Sequence, residues 1–295
     1  MKVRKLFWFL IVLLVIFLFP FAALLVWFAP ADWDLTASPN RVGVVEVDGM
    51  IRDARPTLES LVSFRRDPNV RAIVVRIESP GGGVGASQEI YREVRRTDEE
   101  KPVVASLGGV AASGGYYVAC GARYIIANPG TLTGSIGVVA HLPNLASLFE
   151  KVGYRTVTIK SGRFKDVGNP GREMTEEERA LLQETMDAMH AQFIRDVARG
   201  RGLDEEHVRR IADGRILSGE AALTWKLVDE LGNFQDAVAK AAELGGIPGE
   251  PHVVYAEKKR PSLLEWILGK SGLEGIRETL DPALSPLRYQ LILSP

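Results

Sequence analysis

Short runs of β-branched and apolar residues recur along the chain, separated by turn residues or by helical segments. Runs of this kind are typical of buried β-strands. The predicted strands cover residues 41–51, 69–79, 101–109, 124–129, 135–140 and 154–162. The glycine-rich segment 80–87, "PGGGVGAS", directly follows the second strand and is predicted to be a turn.

Apolar residues spaced by three or four positions predict helices between and after these strands. The predicted helices cover residues 88–100, 175–202, 218–232 and 234–246. Because strands alternate with helices, the chain is predicted to have an α/β fold with parallel strand pairing.

The longest predicted helix begins at Thr175, where "TEEE" forms a capping-box motif with Glu178. Acidic residues in its first turn interact favourably with the helix dipole. Its apolar stripe is predicted to face the core and consists of Leu181, Leu182, Met186, Met189, Phe193 and Val197.

An apolar segment without charges stands at the N-terminus. It covers residues 6–28 and contains 23 residues, none of them charged. As a helix it would span about 35 Å, enough to cross a hydrocarbon core about 30 Å thick. A cleaved signal peptide is the alternative, since "APA" at 29–31 resembles a cleavage site. The apolar core of such peptides is only about 7–15 residues long, so we expect an uncleaved anchor. Lys2, Arg4 and Lys5 precede it and orient the N-terminus towards the cytoplasm.

These features divide the chain into three parts. Residues 1–31 are the cytoplasmic N-terminus and the transmembrane anchor of a single-pass protein of the cell membrane. Residues 32–260 form the α/β domain, which is expected on the extracytoplasmic side, and residues 261–295 form a C-terminal helix and tail.

Composition and charge exclude several classes of protein. Of the 295 residues, 46% are hydrophobic and 25% are charged, which is typical of a globular protein. The formal net charge of −1 argues against a nucleic-acid partner. The single cysteine, Cys120, excludes an intrachain disulfide and is predicted to pack in the core. No group of residues has metal-ligand spacing, so neither a metal nor a cofactor is expected.

Ser113 lies among small apolar residues in "GVAASGGYY", residues 109–117. The preceding strand ends near Leu107, and a helix beginning at the serine would direct free backbone N–H groups outward. Two interpretations stay open for Ser113. It is either an N-cap serine or a nucleophile with an oxyanion site beside it.

The segment "SPGGG", residues 79–83, bears on this choice. A strand that ends in Pro-Gly-Gly leaves backbone N–H groups unshielded, so that one of them can donate a second hydrogen bond to an oxyanion. A plain strand-to-helix turn is the alternative. Phosphate binding is not supported, because the segment lacks the Lys-Ser/Thr of a P-loop and the G-x-G-x-x-G pattern.

A serine nucleophile needs a base. Four histidines lack an obvious acidic partner, namely His141, His190, His207 and His252. A Ser-His-Asp triad is therefore weakly supported. Lysine serves as a base when it loses its proton, which burial in an apolar site favours. Lys160 and Lys165 in "TIKSGRFKDVG" are the two candidates.

Four blocks occur in order along the chain: "SPGGG" (79–83), "AASGGYYVACGA" (111–122), "LTGSIGV" (132–138) and "SGRFKDVG" (161–168). Together, over residues 40–245, they resemble the bacterial signal peptide peptidase A family in its short membrane-anchored form. The resemblance implies a serine endopeptidase with a Ser-Lys dyad. It also implies a Clp protease/crotonase-like fold with repeated ββα units, preceded by one N-terminal transmembrane helix.

The resemblance assigns a role to five residues. Ser113 is expected to be the nucleophile and Lys165 the general base. The N–H groups of Gly82 and Gly114 are expected to form the oxyanion hole, and Ser135 is expected to hydrogen-bond and orient the lysine amine.

The resemblance further implies substrates and assembly. The expected substrates are cleaved signal peptides, cut within their apolar core, and other unfolded or apolar peptides that an anchored enzyme meets at the membrane surface. The family assembles into a ring or dome, so a homo-oligomer is expected. One hypothesis for the tail is that it occupies a neighbouring active site as a self-processing substrate.

Three alternatives stay open. The first is a related Ser-Lys protease that trims one specific membrane-protein partner. The second is an acyl-CoA enzyme of the crotonase type, which would need no lysine at 165 and would find little CoA outside the cytoplasm. The third is a non-catalytic scaffold that binds peptides or organises the membrane.

Overall fold

The computed structural model describes residues 40–256 and a short strand at 288–290. The predicted anchor at 6–28 and most of the predicted C-terminal helix and tail lie outside the described residues. Within the described part, no helix combines the length and the apolar character needed to cross a membrane.

The strands of the described part are short or medium in length. They are β1 (Arg41–Asp48), β2 (Val70–Ser79), β3 (Gly81–Gly83), β4 (Val103–Ala112), β5 (Tyr124–Ala127), β6 (Leu132–Gly134), β7 (Ile216–Ser218), β8 (Glu230–Leu231), β9 (His252–Tyr255) and β10 (Arg288–Gln290).

One long helix and several shorter ones accompany these strands. In the described part they are α1 (Arg55–Arg66), α2 (Val84–Glu100), α3 (Gly114–Ala119), α4 (Ala146–Lys151), α5 (Glu176–Arg201), α6 (Glu205–Arg209), α7 (Gly219–Thr224) and α8 (Phe234–Leu244).

Eight strands form one largely parallel sheet. Its main path runs β7-β6-β4-β2-β1-β9, and β5 joins β4 to β8. The pairing of β6 with β7 is antiparallel, whereas the central pairs β1–β2 and β2–β4 are parallel. Parallel strands need crossover connections, which α1 and α2 supply. The predicted α/β class with parallel pairing is therefore confirmed.

The two faces of this sheet bury separate apolar clusters. In β1, Val42 and Val44 pack in the smaller cluster with α8, and Val45 and Val47 pack in the larger cluster on the opposite face. Successive side chains of a strand point to opposite faces, so buried valines on both faces fit a strand that is covered on both sides.

Most predicted elements are confirmed. The strands predicted at 41–51, 69–79, 101–109 and 124–129 are β1, β2, β4 and β5, and the helices predicted at 88–100, 175–202 and 234–246 are α2, α5 and α8. The capping box at Thr175 is also confirmed, because its side chain accepts a hydrogen bond from Glu178 N at 3.2 Å. Residue Gly202, in the left-handed conformation with φ 61°, ends this helix.

Several boundaries differ from the prediction. The glycine-rich segment forms β3 and the first turn of α2 rather than only a turn, and α1 was not predicted. The segment 218–232 holds the short helix α7 and then β8. The strand predicted at 135–140 is wrong: β6 ends at Gly134, because Ser135 has a φ of 51° that extended backbone does not allow.

The strand predicted at 154–162 is also wrong for the described chain. This segment is irregular and solvent-exposed, with Val157 90% and Ile159 95% exposed. A strand requires a pairing partner for its backbone groups, and no described strand pairs with this segment. Its alternating β-branched sequence therefore pairs with no strand of the described ranges.

The apolar stripe of α5 is buried only in its C-terminal half. Phe193 and Val197 are fully buried, as predicted, whereas Leu181 is 37% exposed and Met186 is only partly buried. The N-terminal half of this stripe therefore does not pack in the core of the described chain.

Candidate active site

The ends of the central parallel strands place three serines at one edge of the sheet. Ser79 is the last residue of β2, Ser113 follows β4 and Ser135 follows β6. Carboxyl ends of parallel strands meet at the same edge, where ligands of α/β proteins commonly bind. The pairing of Ala112 with Gly134 makes the next residues, Ser113 and Ser135, neighbours.

Ser113 has an unusual backbone and an unpaired side chain. Its φ of 54° and ψ of −118° lie where few residues other than glycine are found. Its N–H donates to Gly134 O at 2.8 Å, and its carbonyl accepts from Tyr117 N at 2.8 Å. Its hydroxyl is buried and has no hydrogen-bond partner among the described residues.

These features argue against the capping interpretation of Ser113. An N-cap serine accepts a hydrogen bond from the first helical turn, but the Ser113 side chain makes no such bond with α3. A buried hydroxyl without a partner costs about 1–3 kcal/mol. Unpaired groups and strained backbone of this kind concentrate at functional sites. The N-cap interpretation of Ser113 is therefore not supported, and its role as a nucleophile stays a prediction.

The Gly82 amide is directed towards the open edge of β3. Ile51 holds the other edge, since Ile51 N donates to Gly81 O at 2.9 Å and Gly83 N donates to Ile51 O at 2.7 Å. In a trans peptide the C=O and the following N–H point in opposite directions. The Gly82 N–H and C=O therefore both point away from Ile51.

Gly114 lies against this amide. A Cβ added at Gly114 would be 3.1 Å from Gly82 N and 2.5 Å from Ser87 Oγ. As the first residue of α3, Gly114 has an N–H without an acceptor inside its own helix. The two amides predicted to form an oxyanion hole are therefore close together beside Ser113.

The edge of β3 that Ile51 leaves open is paired with the strand β10. It pairs in the antiparallel direction, with Tyr289 opposite Gly82 and Gln290 opposite Gly81. An extended segment of the chain therefore lies along the backbone groups of Gly82, next to the nucleophile candidate. This edge accepts a peptide strand in the way that β-augmentation requires.

Lys165 does not contact Ser113 in the described chain. It lies in an exposed turn, and its backbone N–H donates to Gly162 O at 3.1 Å. Among the described residues, its amine makes no hydrogen bond or ion pair. The structure therefore brings Ser113, Ser135, Gly82 and Gly114 together, and it leaves Lys165 apart from them.

The other candidate groups do not form a catalytic centre. Lys160 forms an ion pair with Asp166, and no histidine hydrogen-bonds to Ser113, whose hydroxyl has no partner in the described part. Cys120 is buried, as predicted, and burial raises the pKa of its thiol to about 12. No group of ligands in the described ranges could hold a metal ion.

Two supporting residues were missed in the sequence. Ile51 fixes β3 from behind, and the Ser79 hydroxyl donates to Gly49 O at 2.6 Å and accepts from Gly81 N at 3.1 Å. A serine before a Pro-Gly turn is a recognised signal for such a local hydrogen bond. The contribution of Ile51 depends on tertiary structure and leaves no local pattern.

The family model described as peptidase family S49 matches residues 95–247, just over half of the chain. The chain belongs to peptidase family S49. It is therefore a serine peptidase, a hydrolase. The matched range includes Ser113, Gly114, Ser135 and Lys165.

Named relatives agree with this assignment. A protein of Synechocystis sp. that carries a provisional protease name is 40% identical over 83% of this chain and 89% of its own length. "Protease 4" of Salmonella typhi is 36% identical over 87% of this chain and 40% of its own length. "Serine protease SPPA, chloroplastic" of Arabidopsis thaliana is 38% identical over 83% of this chain and 37% of its own length.

Solved structures show weaker likeness. A mutant of a membrane-bound stomatin-specific protease covers 75% of this chain and 99% of its own, with 18% identity and a TM-score of 0.49. A ClpP1 mutant from Listeria monocytogenes covers 66% of this chain and 94% of its own, with 19% identity and a TM-score of 0.46.

Proposed function

We propose that this S49 peptidase uses Ser113 as its nucleophile and Lys165 as its general base, and that it degrades released signal peptides within their apolar core. The observation that carries the proposal is the buried, unpaired hydroxyl of Ser113 beside the amides of Gly82 and Gly114. A peptide bound along β3 in the place of β10 would present a carbonyl to this hydroxyl.

The proposed reaction has two stages. Neutral Lys165 takes the proton of Ser113 as the oxygen attacks the peptide carbonyl, and the Gly82 and Gly114 N–H groups stabilise the oxyanion. Lys165 then gives this proton to the leaving amine, which breaks the C–N bond and leaves an acyl-enzyme. Water then attacks the ester as Lys165 takes a proton from it. Lys165 returns that proton to the Ser113 oxygen as the ester C–O bond breaks and the second product leaves. Ser135 orients the lysine amine.

Lys165 must approach Ser113 for this chemistry, and we propose that a second copy of the chain supplies it. Within one chain, the hydroxyl of Ser113 has no partner among the described residues, and Lys165 is exposed. If each copy placed its Lys165 in the active site of a neighbouring copy, the lysine amine and the Ser113 hydroxyl would come together.

Exposed apolar side chains in the segments before and after Lys165 support a homo-oligomer. They are Leu145, Leu148, Val152, Tyr154, Val157, Ile159 and Leu181. Large exposed apolar patches are typical of protein interfaces. The segment 154–162 also keeps the sequence of a strand without a partner, which a neighbouring subunit could provide. A ring or dome would repeat such a heterologous contact until it closes.

The proposed location is the cell membrane. Residues 6–28 would anchor the protein, with the N-terminus in the cytoplasm and the peptidase domain on the extracytoplasmic side. Released signal peptides stay in the membrane because they are apolar, so an anchored peptidase meets them at the surface. Unfolded or apolar peptides would be further substrates.

Cleavage of a synthetic signal peptide and of casein by wild type, Ser113→Ala and Lys165→Ala tests the proposal, with fragments identified by mass spectrometry. Wild type should cut and both variants should be inactive. The matched controls Ser60→Ala and Lys240→Ala change half-buried positions of α1 and α8 and should cut as wild type does.

Retained cleavage by Ser113→Ala or Lys165→Ala would contradict the assigned roles. A folded wild type that ignores both substrates but trims one membrane-protein tail would favour the partner-specific protease instead.

A further inference from the structure

A network of ion pairs holds the turn that carries Lys165. Arg172 lies at its centre: its Nε donates to Asp166 Oδ2 at 3.0 Å, and its Nη2 donates to the Asp166 carbonyl at 3.2 Å. The same guanidinium donates from Nη1 to Glu178 Oε2 at 2.8 Å. Arg172 therefore binds both the side chain and the backbone of the residue that follows Lys165.

The network connects this turn to a rigid element. Glu178 is buried and belongs to the first turn of α5, where it also accepts a hydrogen bond from Thr175 N at 3.0 Å. A helix of 26 residues is a stiff support. Because Arg172 bridges Glu178 and Asp166, the position of the Lys165 turn is fixed relative to α5.

The network also neutralises the carboxylate next to Lys165. Asp166 is paired on one oxygen with Arg172 and on the other with Lys160, and these bonds lower its pKa to about 2. An ionised carboxylate left without these partners would bind the ammonium of Lys165 and stabilise its protonated form. A protonated lysine cannot serve as the base.

Other charged groups of the described part also lie close to this turn. The groups to consider are Lys160, Arg163, Asp166 and Arg172 in the loop, and Glu177 and Glu178 on α5. Arg163 is paired with Glu177. Each acidic group in this set thus has a basic partner other than Lys165.

We propose that Arg172 is the positioning residue of the general base. It clamps the Lys165 turn to α5 through Asp166 and Glu178, and it keeps the Asp166 carboxylate from pairing with the Lys165 amine. This inference rests on the proposed role of Lys165 as the base. Arg172 itself touches neither substrate nor nucleophile.

The proposal predicts that removing Arg172 and removing Asp166, the two partners of one ion pair, shift the pKa of Lys165 in opposite directions. Arg172→Gln leaves Asp166 with fewer cations, so Lys165 holds its proton to higher pH. Asp166→Asn removes the carboxylate that pairs with Lys160 and Arg172, which adds net positive charge beside Lys165, so Lys165 releases its proton at lower pH. A lysine must be neutral to act as the base, so the acidic limb of the kcat/KM profile should move to higher pH in Arg172→Gln and to lower pH in Asp166→Asn.

The test measures kcat/KM against pH for the full-length protein with a fluorogenic apolar peptide. The acidic limb should move up by about 0.5–1 pH unit in Arg172→Gln and down in Asp166→Asn. Asp166→Asn combined with Arg172→Gln should return the limb towards its wild-type position. kcat should fall about tenfold or more in Arg172→Gln, because the base is misplaced, with a smaller change in KM.

The outcomes separate the two proposals. If Lys165→Ala cleaves as wild type does, the proposed function fails. Suppose instead that Lys165→Ala is inactive. If the acidic limb then stays in place in Arg172→Gln and Asp166→Asn, or moves in the same direction in both, the proposed role of Arg172 is wrong. If Arg172→Gln does not fold, as judged by circular dichroism, the downward shift in Asp166→Asn alone decides the question, and an unmoved limb overturns the proposal.

Discussion

At Ser113, the backbone, the side chain and the neighbouring amides all depart from what a structural serine needs. Its φ is 54°, its hydroxyl has no partner in the described part, and a Cβ at the adjoining Gly114 would lie 3.1 Å from Gly82 N. A strained turn of this kind directs the oxygen and the next N–H towards the same space. The site therefore depends on glycine at 82 and 114 as much as on the serine.

Gly82→Ala tests this dependence. A Cβ at Gly82 would lie 2.1 Å from the carbonyl oxygen of Ile51, so the strand must shift and its amide must move away from the oxyanion. Loss of one such donor lowers kcat about 10²–10³-fold, which steady-state cleavage of an apolar peptide would measure.

The control is Gly85→Ala, three residues along. A Cβ at Gly85 would meet nothing within 4 Å, and it lies in α2, where alanine is preferred by about 0.5–1 kcal/mol. This variant should keep full activity with equal or higher stability. Equal activity in both variants would show that the Gly82 amide does not stabilise the oxyanion.

The elements around the site differ in how well the sequence predicts them. The strands β1, β2 and β4 and the helix α5 follow directly from apolar runs and from the capping box at Thr175, because these signals are local. The segment 154–162 has the residues of a strand, but it has no pairing partner among residues 40–256 and 288–290. Strand formation depends on that partner, so it could not be decided from one sequence.

The candidate site was predictable only where local sequence motifs mark its residues. Ser113, Gly82 and Gly114 belong to motifs with a recognisable pattern, and the structure brings them together. The support given by Ile51 to β3 and by Arg172 to the Lys165 turn comes from residues distant in sequence. No periodicity or motif signals such tertiary contacts.

The position of β10 on the edge of β3 predicts an effect on substrate binding. Because it lies along the Gly82 backbone, it competes with a peptide for that edge. A chain that ends at residue 286 should bind an apolar peptide with a lower KM and an unchanged kcat. A chain that ends at residue 290 keeps β10 and is the control; if the two chains share one KM, β10 does not compete with substrate.

The first turn of α5 predicts a dependence of stability on pH. Arg172 lowers the pKa of Glu178 to about 2, whereas unfolded glutamate titrates near 4. The ionised Glu178 therefore stabilises the folded state fully at a pH above its unfolded pKa. This stabilisation is lost as the pH falls through the folded pKa. Urea unfolding at pH 6 and pH 3 should show a smaller loss of stability in Glu178→Gln than in wild type.

The matched control for this experiment is Glu176→Gln. Glu176 belongs to the same helical turn, and its side chain is 92% exposed. Its variant should lose stability between the two pH values as wild type does. An equal loss in Glu178→Gln would mean that the pairing with Arg172 does not contribute to stability in acid.

At the scale of the whole molecule, the described chain carries both halves of the proposed dyad but does not join them. Ser113 is buried at the edge of the sheet, and Lys165 is exposed in a turn flanked by the apolar residues of 145–159. A single subunit would then be inactive, and assembly would create the active sites. Activity would therefore depend on protein concentration wherever the oligomer dissociates.

Co-expression of Ser113→Ala and Lys165→Ala subunits, with different tags, tests this account most directly. Each variant alone should be inactive. In mixed oligomers purified through both tags, about one site in four should receive an intact serine from one subunit and an intact lysine from its neighbour. Cleavage of an apolar peptide at about a quarter of the wild-type rate is the predicted result. Mixed oligomers of wild-type size without any cleavage would contradict a dyad shared between subunits.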